Sequence, residues 1–346
     1  MFNYVVRRIL TMIPMFFLMT GVYFAVQNYL PGGPVQEMLS RIQYGGSEGT
    51  GRTMTIDQVD RLRTELNHQY GLDQPLPVRY WIWVKKAATL DFGDSTTTRT
   101  PAIETIRERI PVSLGFGIPG FFLTYLVCIG LGLLKAVKNG SRFDTITSVL
   151  LFVAYSIPAL VVSVVLLLVF CTDRILPGGA IFPLGGAHAD FWETLGSADR
   201  WWDFANHMFL PVIASLLGGF TLLTLLMKNS VLDVLSHDFI RTARAKGLPE
   251  KRVILKHALK NAILPLLVGL GGYVSAFVAG SIVIETVFGL PGMGRLLIES
   301  LNSRDYNVLM GVAVIQSLVV MFGQLLSDIA YVMVDPRIDF EGDTRG

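Results

Sequence analysis

The chain has 346 residues and a formal net charge of +2; 51% of its residues are hydrophobic and 16% are charged. Soluble domains carry about a quarter charged residues, so this balance excludes an ordinary soluble fold and points to the bilayer. Two cysteines, Cys128 and Cys171, supply neither a disulfide framework nor metal-ligand spacing, which argues against redox chemistry.

Six apolar runs follow one another: 9–30, 112–134, 145–171, 207–227, 262–288 and 308–334. Each can cross a hydrocarbon core, which takes about 20 residues of helix. The expected fold is all-α and integral to the membrane, with six transmembrane helices. Arg7 and Arg8 ahead of the first run imitate a signal peptide. That run is too long for an h-region, and Gln27-Asn28-Tyr29-Leu30-Pro31 is no small-residue cleavage site, so it reads as a retained anchor. Lys and Arg number fifteen on the side of the N-terminus and fourteen on the other. The first set lies on segments about half as long, and the long 31–111 segment translocates largely regardless of charge. The expected orientation is N-in and C-in.

The outer segment 31–111 reads as a helical insertion between the first two spans. Thr55 and Gln58 fit a capping box, and Ile56, Val59, Leu62, Leu66 and Tyr70 then recur at helical steps before Gly71. A second helix is expected over 78–88, with Trp81 and Trp83 suited to the membrane–water interface. A third starts at Thr100-Pro101 and presents Ile103, Ile106 and Ile110 on one side. Residues 45–51 read as a glycine-rich loop. The division expected is 1–30 for the N-terminus and first span, 31–111 for the insertion, and 112–346 for the core.

Between the fourth and fifth spans lies an inner loop, 228–261. Helix is expected over 232–246, Gly247 ends it, and Leu248-Pro249 restarts a helix with proline at its first position. Eight basic residues sit here: Lys228, Arg241, Arg244, Lys246, Lys251, Arg252, Lys256 and Lys260. Positive-inside bias and contact with membrane lipid headgroups account for most of that charge. They do not account for the helix–Gly–Pro–helix punctuation, which favours a shaped contact surface.

Arg241-Thr242-Ala243 followed by Gly247 resembles the "EAA" loop of importer-type ABC permeases, whose short coupling helix docks in a cleft of a separate ATPase. Arg241 stands where the broad motif has Glu, and Lys260 where many members have Pro. Both departures fit the peptide/nickel branch, as does His257-x-Leu259-x-Asn261. The likeness runs from end to end: Pro31-Gly32-Gly33-Pro34, Phe92-Gly93-Asp94-Ser95, Glu285-Thr286-Val287-Phe288 with Pro291-Gly292-Met293-Gly294, and Asp335-Pro336-Arg337-Ile338. Narrower strings resemble Yej-type permeases, which import oligopeptides and microcin C. They are Lys135-Ala136-Val137, Asn139-Gly140-Ser141-Arg142-Phe143-Asp144, Gly218-Gly219-Phe220, Lys228-Asn229-Ser230, Ser303-Arg304-Asp305-Tyr306 and Asp339-Phe340-Glu341.

The resemblance implies a multi-pass permease of the bacterial inner membrane, with 31–111 on the periplasmic side. It implies ATPase coupling through Phe239, Arg241, Thr242, Ala243, Arg244, Lys246, Gly247 and Glu250. The implied partners are a second, related permease in a heterodimer, two nucleotide-binding domains on two chains or one fused chain, and a periplasmic peptide-binding protein. ATP and Mg belong to the partner subunits. No cofactor, metal site or nucleic acid is expected on this chain.

Signals of catalysis are discounted. Gly115-Phe116-Gly117-Ile118-Pro119-Gly120 matches G-x-G-x-x-G but lies inside a span without the strand–turn–helix context the motif needs. No G-x-x-x-x-G-K-[ST] occurs, so the chain is not expected to hydrolyse ATP itself. Spans one to five each carry a proline: Pro14, Pro119, Pro158, Pro211 and Pro265. Each favours a kink. Pro158, in Tyr155-Ser156-Ile157-Pro158, is the candidate for gating. Glu285 and Asp328 are intramembrane acids, for which pairing is favoured over substrate contact. The expected function is import of oligopeptides by alternating access, driven by a separate ATPase. The alternatives are an ion-driven secondary transporter, a dipeptide or nickel permease of the same branch, and a non-transporting scaffold.

Overall fold

The computed structural model describes residues 2–29, 74–173, 179–278 and 280–334, together with Arg61, Thr64 and Ile175. The described residues are helical apart from turns, irregular segments and an isolated bridge between Asp94 and Pro101. In chain order the helices are α1 Phe2–Tyr29, α2 Leu76–Ala88, α3 Ala102–Val137, α4 Arg142–Ser156, α5 Ala159–Phe170, α6 Ser197–Leu235, α7 Asp238–Ala245, α8 Glu250–Ala262, α9 Leu264–Val278, α10 Ile282–Val287, α11 Met293–Asn302 and α12 Tyr306–Val334. Of the helix expected over 55–70, Arg61 and Thr64 are described and helical; the rest lies outside the described residues, as do 31–34, 45–51 and 335–341.

Among the described residues, three helices are long and apolar enough to span a membrane: Val5–Val26 within α1, α3, and α12. Three bent pairs pass the same test: α4 with α5, the two halves of α6, and α8 with α9. Taken as one span each, the pairs bring the number among the described residues to six.

The breaks differ from the unbroken runs expected. The 145–171 run turns by 95° between α4 and α5. Ile157 there is extended, with φ −88° and ψ 120°, because a residue before proline is driven out of the helical region. The 262–288 run is also interrupted: α8 meets α9 at 53°, and α9 ends before Gly280, whose φ is +82°. By contrast, α1, α3 and α6 continue through Pro14, Pro119 and Pro211. A proline inside a helix forfeits one backbone bond, which the surroundings can replace, so it need not break the helix. The third outer helix and the second span are one element, since α3 runs unbroken through Pro111.

Two compact units emerge. One comprises the described residues within Met1–Met12, Arg109–Leu296 and Leu318–Gly346, the other those within Ile13–Glu108 and Leu297–Ser317. In the first, Met227, Val231, Ile240, Val253, Ala262 and Leu266 form part of one buried cluster. Gly271 of α9 and Gly323 of α12 bring two backbones together; a Cβ on Gly271 would stand 2.5 Å from the Gly323 carbonyl oxygen.

In the second unit, α2 packs on α1 through aromatic rings. Tyr80 and Trp83 stack at 6.2 Å, Phe24 lies 5.5 Å from Tyr80, and the Tyr80 hydroxyl donates to the Phe17 carbonyl at 2.9 Å. Asp305 accepts from the Ser95 hydroxyl at 2.5 Å and from the Val308 N–H at 3.3 Å, which caps α12. The strings 92–95 and 303–306, far apart in sequence, thereby meet.

Candidate functional site

The elbow is built from α7, a glycine turn and α8. The helix expected over 232–246 is split, because α6 stops at Leu235 and α7 restarts at Asp238. Within α7 the apolar residues Ile240 and Ala243 are three apart, so they share a face and are buried. They pack with Val253 of α8 and Val231 and Val234 of α6, with Leu248 against the same cluster. Phe239, Arg241, Thr242, Arg244 and Lys246 remain exposed. Ala243 is thus the one predicted contact residue that faces inward, where a larger side chain would lift α7 off its seat.

The turn is a Schellman cap. The Gly247 N–H donates to the Arg244 carbonyl at 2.9 Å and the Leu248 N–H to the Ala243 carbonyl at 3.4 Å. Gly247 has φ +75°, a region that L side chains rarely adopt. A Cβ there would meet nothing within 4 Å, so the backbone and not crowding requires glycine. Pro249, with φ −63° and ψ 140°, caps α8, one position earlier than expected. Across the turn, Arg244 grips Glu250 with two parallel bonds, 3.1 Å from Nε and 2.6 Å from a terminal nitrogen. That hydrogen bond raises Arg244 above its ordinary pKa and holds the exposed Glu250 carboxyl below its own. Past the first turn of α8, residues Val253–Ala258 form a π-helical stretch, a local widening often found where a helix does work.

The base of the elbow is fastened by a charge cluster whose members come from three separate segments of the chain, with no local pattern to pair them. Lys135, at the end of α3, is fully buried. Its ammonium donates to the Asp144 carbonyl at 2.9 Å and to the Thr147 and Ser148 hydroxyls at 2.8 Å each, and lies 3.0 Å from the Asp144 carboxylate. Lys228 of α6 reaches both Asp144 oxygens, at 2.9 and 2.7 Å. Ser141 caps α4 by accepting from the Asp144 N–H, and Gly140 donates back to the carboxylate at 3.1 Å. Two residues past Lys228, the Ser230 hydroxyl donates to the Ala262 carbonyl at 2.8 Å, at the α8–α9 break. Three Yej-like strings, 135–137, 139–144 and 228–230, contribute to one contact network. The legible signal was the Ser141–Asp144 capping pattern.

The remaining sequence-predicted residues sit apart from the elbow. Pro158 caps α5 at the 95° corner and is exposed, as are Tyr155, Ser156 and Ile157. The Ser156 hydroxyl turns back to the Phe152 carbonyl at 2.8 Å. Asp328 is hydrogen-bonded to Arg8. Glu285, for which pairing is the favoured reading, is buried. It accepts from the Ser113 hydroxyl at 2.9 Å, the Ser281 N–H at 3.2 Å and the Arg295 N–H at 2.7 Å, so it meets the Arg295 backbone. Gly280 and Gly292 make room for it: a Cβ on either would fall within 2.3–2.4 Å of its carboxylate group.

Long apolar helices, bent spans and a polar elbow seated on an apolar core define a multi-pass α-helical membrane protein. The chain belongs to the family of binding-protein-dependent transport system inner membrane components, which it matches over residues 128–340. It is 35% identical to the inner membrane ABC transporter permease protein YejB of Escherichia coli O157:H7, over 98% of this chain and 99% of that one. It is 34% identical to the peptidoglycan transport system permease protein YejB of Agrobacterium fabrum, over 98% of each. The oligopeptide transport system permease protein AppB of Bacillus subtilis is 33% identical over 97% of this chain and 99% of its own. The protein is therefore a multi-pass transport component of the inner membrane.

Proposed function

We propose that this chain is the permease subunit of an ATP-driven, binding-protein-dependent importer of oligopeptides. The observation that carries it is the α7–Gly247–α8 elbow, whose apolar face is buried and whose Phe239, Arg241, Thr242, Arg244, Lys246, Gly247 and Glu250 stand exposed. Rigid presentation of a small polar protrusion suits a surface gripped by a moving ATPase. Two cytoplasmic nucleotide-binding domains, carrying ATP and Mg, close and displace the elbow; a second, related permease completes the path. A periplasmic binding protein delivers substrate to the outer face, to which 31–111 belongs. Relatives that transport oligopeptides, dipeptides and peptidoglycan support a peptide as cargo, and the Yej-type strings extend the proposal to microcin C.

Six spans with both termini inside is the topology adopted here. The bond between Arg8, near the start of α1, and Asp328, near the end of α12, supports termini on one side, and the basic loop 228–261 supports the inner side. Pairing with Arg8 also favours a structural role for Asp328 over a place in the path.

The test is recovery of the tagged chain from its native membrane beside a Gly247→Arg variant, with bound proteins identified by mass spectrometry. An ATP-binding subunit held by the wild type and lost from a folded variant is expected. Absence of any ATPase from intact complexes of the wild type would favour an ion-driven carrier instead.

A further inference from the structure

Beyond holding the fold together, the buried charge cluster at the base of the elbow has the geometry of a transmission joint. α4 and α6 are tied at two levels. At one, Lys228 bonds Asp144 through both carboxylate oxygens. At the other, the buried Thr221 hydroxyl donates to the Leu151 carbonyl at 3.1 Å. The tie points are seven residues apart on α4 and seven on α6, which is two turns, or roughly 10 Å, along each helix. The two helices are therefore zipped antiparallel in matched register. Lys135 fixes α3 to the same joint, and α3 lies backbone-close to α6 beside it: a Cβ on Gly132 would stand 2.9 Å from the Thr224 carbonyl oxygen.

What lies beyond each end of the zipped section gives the joint its meaning. Seven residues past Lys228, α6 ends at Leu235 and the elbow helix follows. Five residues past Leu151, α4 ends at Ser156 and the chain turns by 95° through Pro158. A rigid pair thus joins the exposed elbow to the exposed corner, and the chain can bend at the corner. We propose that Lys228, through its two hydrogen bonds to Asp144, is a positioning residue for transport. It makes α4 follow α6, so that displacement of the elbow reaches the 155–158 corner. This rests on the elbow being the ATPase contact.

A packed, hydrogen-bonded connection carries coupling only where both ends bias one moving element, so the test must read coupling and not stability alone. The assembled transporter, with its partner permease, ATPase and binding protein, is placed in proteoliposomes. Uptake of radiolabelled tri-alanine and ATP hydrolysis are measured together. Lys228→Met leaves the Lys135–Asp144 pair in place, which keeps the buried ammonium neutralised. It should retain the ATPase and its hydrolysis while tri-alanine imported per ATP falls by about 2- to 30-fold, the range expected of residues along a coupling route. Lys228→Arg, which can restore a two-bond grip on Asp144, should recover most of that ratio. Thr221→Val, which cuts the second tie without touching a charge, should lower it in the same direction.

An unchanged ratio in Thr221→Val would overturn the zipped pair as the route, and an unchanged ratio in Lys228→Met would overturn the proposal. Loss of the ATPase from Lys228→Met would also overturn it, by assigning the cluster to folding of the elbow. A wild-type complex that holds no ATPase would sink the proposed function, and this inference with it.

Discussion

Two ion pairs lie on either side of one short helix pair, and they differ in almost every physical respect. Arg244–Glu250 closes the elbow turn in water, with side chains about half exposed: 43% and 55%. Lys228–Asp144 anchors the base of the elbow, with side chains 14% and 9% exposed and a fully buried Lys135 beside it. Screening and solvation make the first nearly neutral for stability. Burial makes the second costly to break at Asp144, because its removal leaves two ammonium groups without their counter-charge out of water. The exposed pair shapes a surface that a partner can grip, whereas the buried one fixes where that surface is held.

The largest effect is expected at the buried end. Asp144→Ala leaves Lys135 and Lys228 without their shared counter-charge and should cost about 3–5 kcal/mol, read as a lowered melting temperature and yield in detergent. A loss below 1 kcal/mol would erase the contrast between the two pairs. Glu285 sharpens it, as a buried carboxylate held by a hydroxyl and backbone N–H groups. Gly292→Ala places a Cβ 2.4 Å from the Glu285 carboxyl carbon, and overpacking of that kind costs about 1–3 kcal/mol. Stability equal to the wild type would show that the Glu285 pocket has room to relax.

At the elbow the expected losses shrink. Gly247→Ala meets no neighbour but strains a left-handed backbone, for about 1 kcal/mol, and Gly247→Asn should cost less. Arg244→Ala should move stability by less than about 1 kcal/mol while weakening ATPase retention, since its guanidinium faces outward. The pH dependence of this pair has a definite sign. Glu250 is held below its ordinary pKa of 4.5 by the Arg244 hydrogen bond. The small stability it adds is present above that value and is lost as pH falls through the lowered one. The melting difference between wild type and Arg244→Ala should therefore narrow in acid. A difference that widens in acid would mean Arg244 is held by something other than Glu250.

Much of the elbow was legible along the chain because its determinants are local. Gly247 marks a left-handed turn and Pro249 a restart. The Glu285 and Asp144 sites were not legible in that way. Their partners, Ser113 and Lys228, are 172 and 84 positions away. A carboxylate near a span end reads equally well as solvated, ion-paired or capped by amides. Nor did proline by itself mark the bends: Pro158 stands at a 95° corner, while Pro119 sits inside a continuous helix.

The sequence by itself determined the membrane class, the approximate run of spans, the family and the position of the elbow. The family follows from strings shared with its members; the other three follow from composition and short-range pattern, which hydrophobicity and backbone sterics make readable residue by residue. Tertiary structure alone decided which charged groups meet and which spans break. It also turned Ala243 inward and gave Glu285 a hydroxyl and backbone N–H groups as its partners. Those outcomes depend on what each side chain finds across the bundle, and a low dielectric makes every such pairing matter more than the local pattern can show.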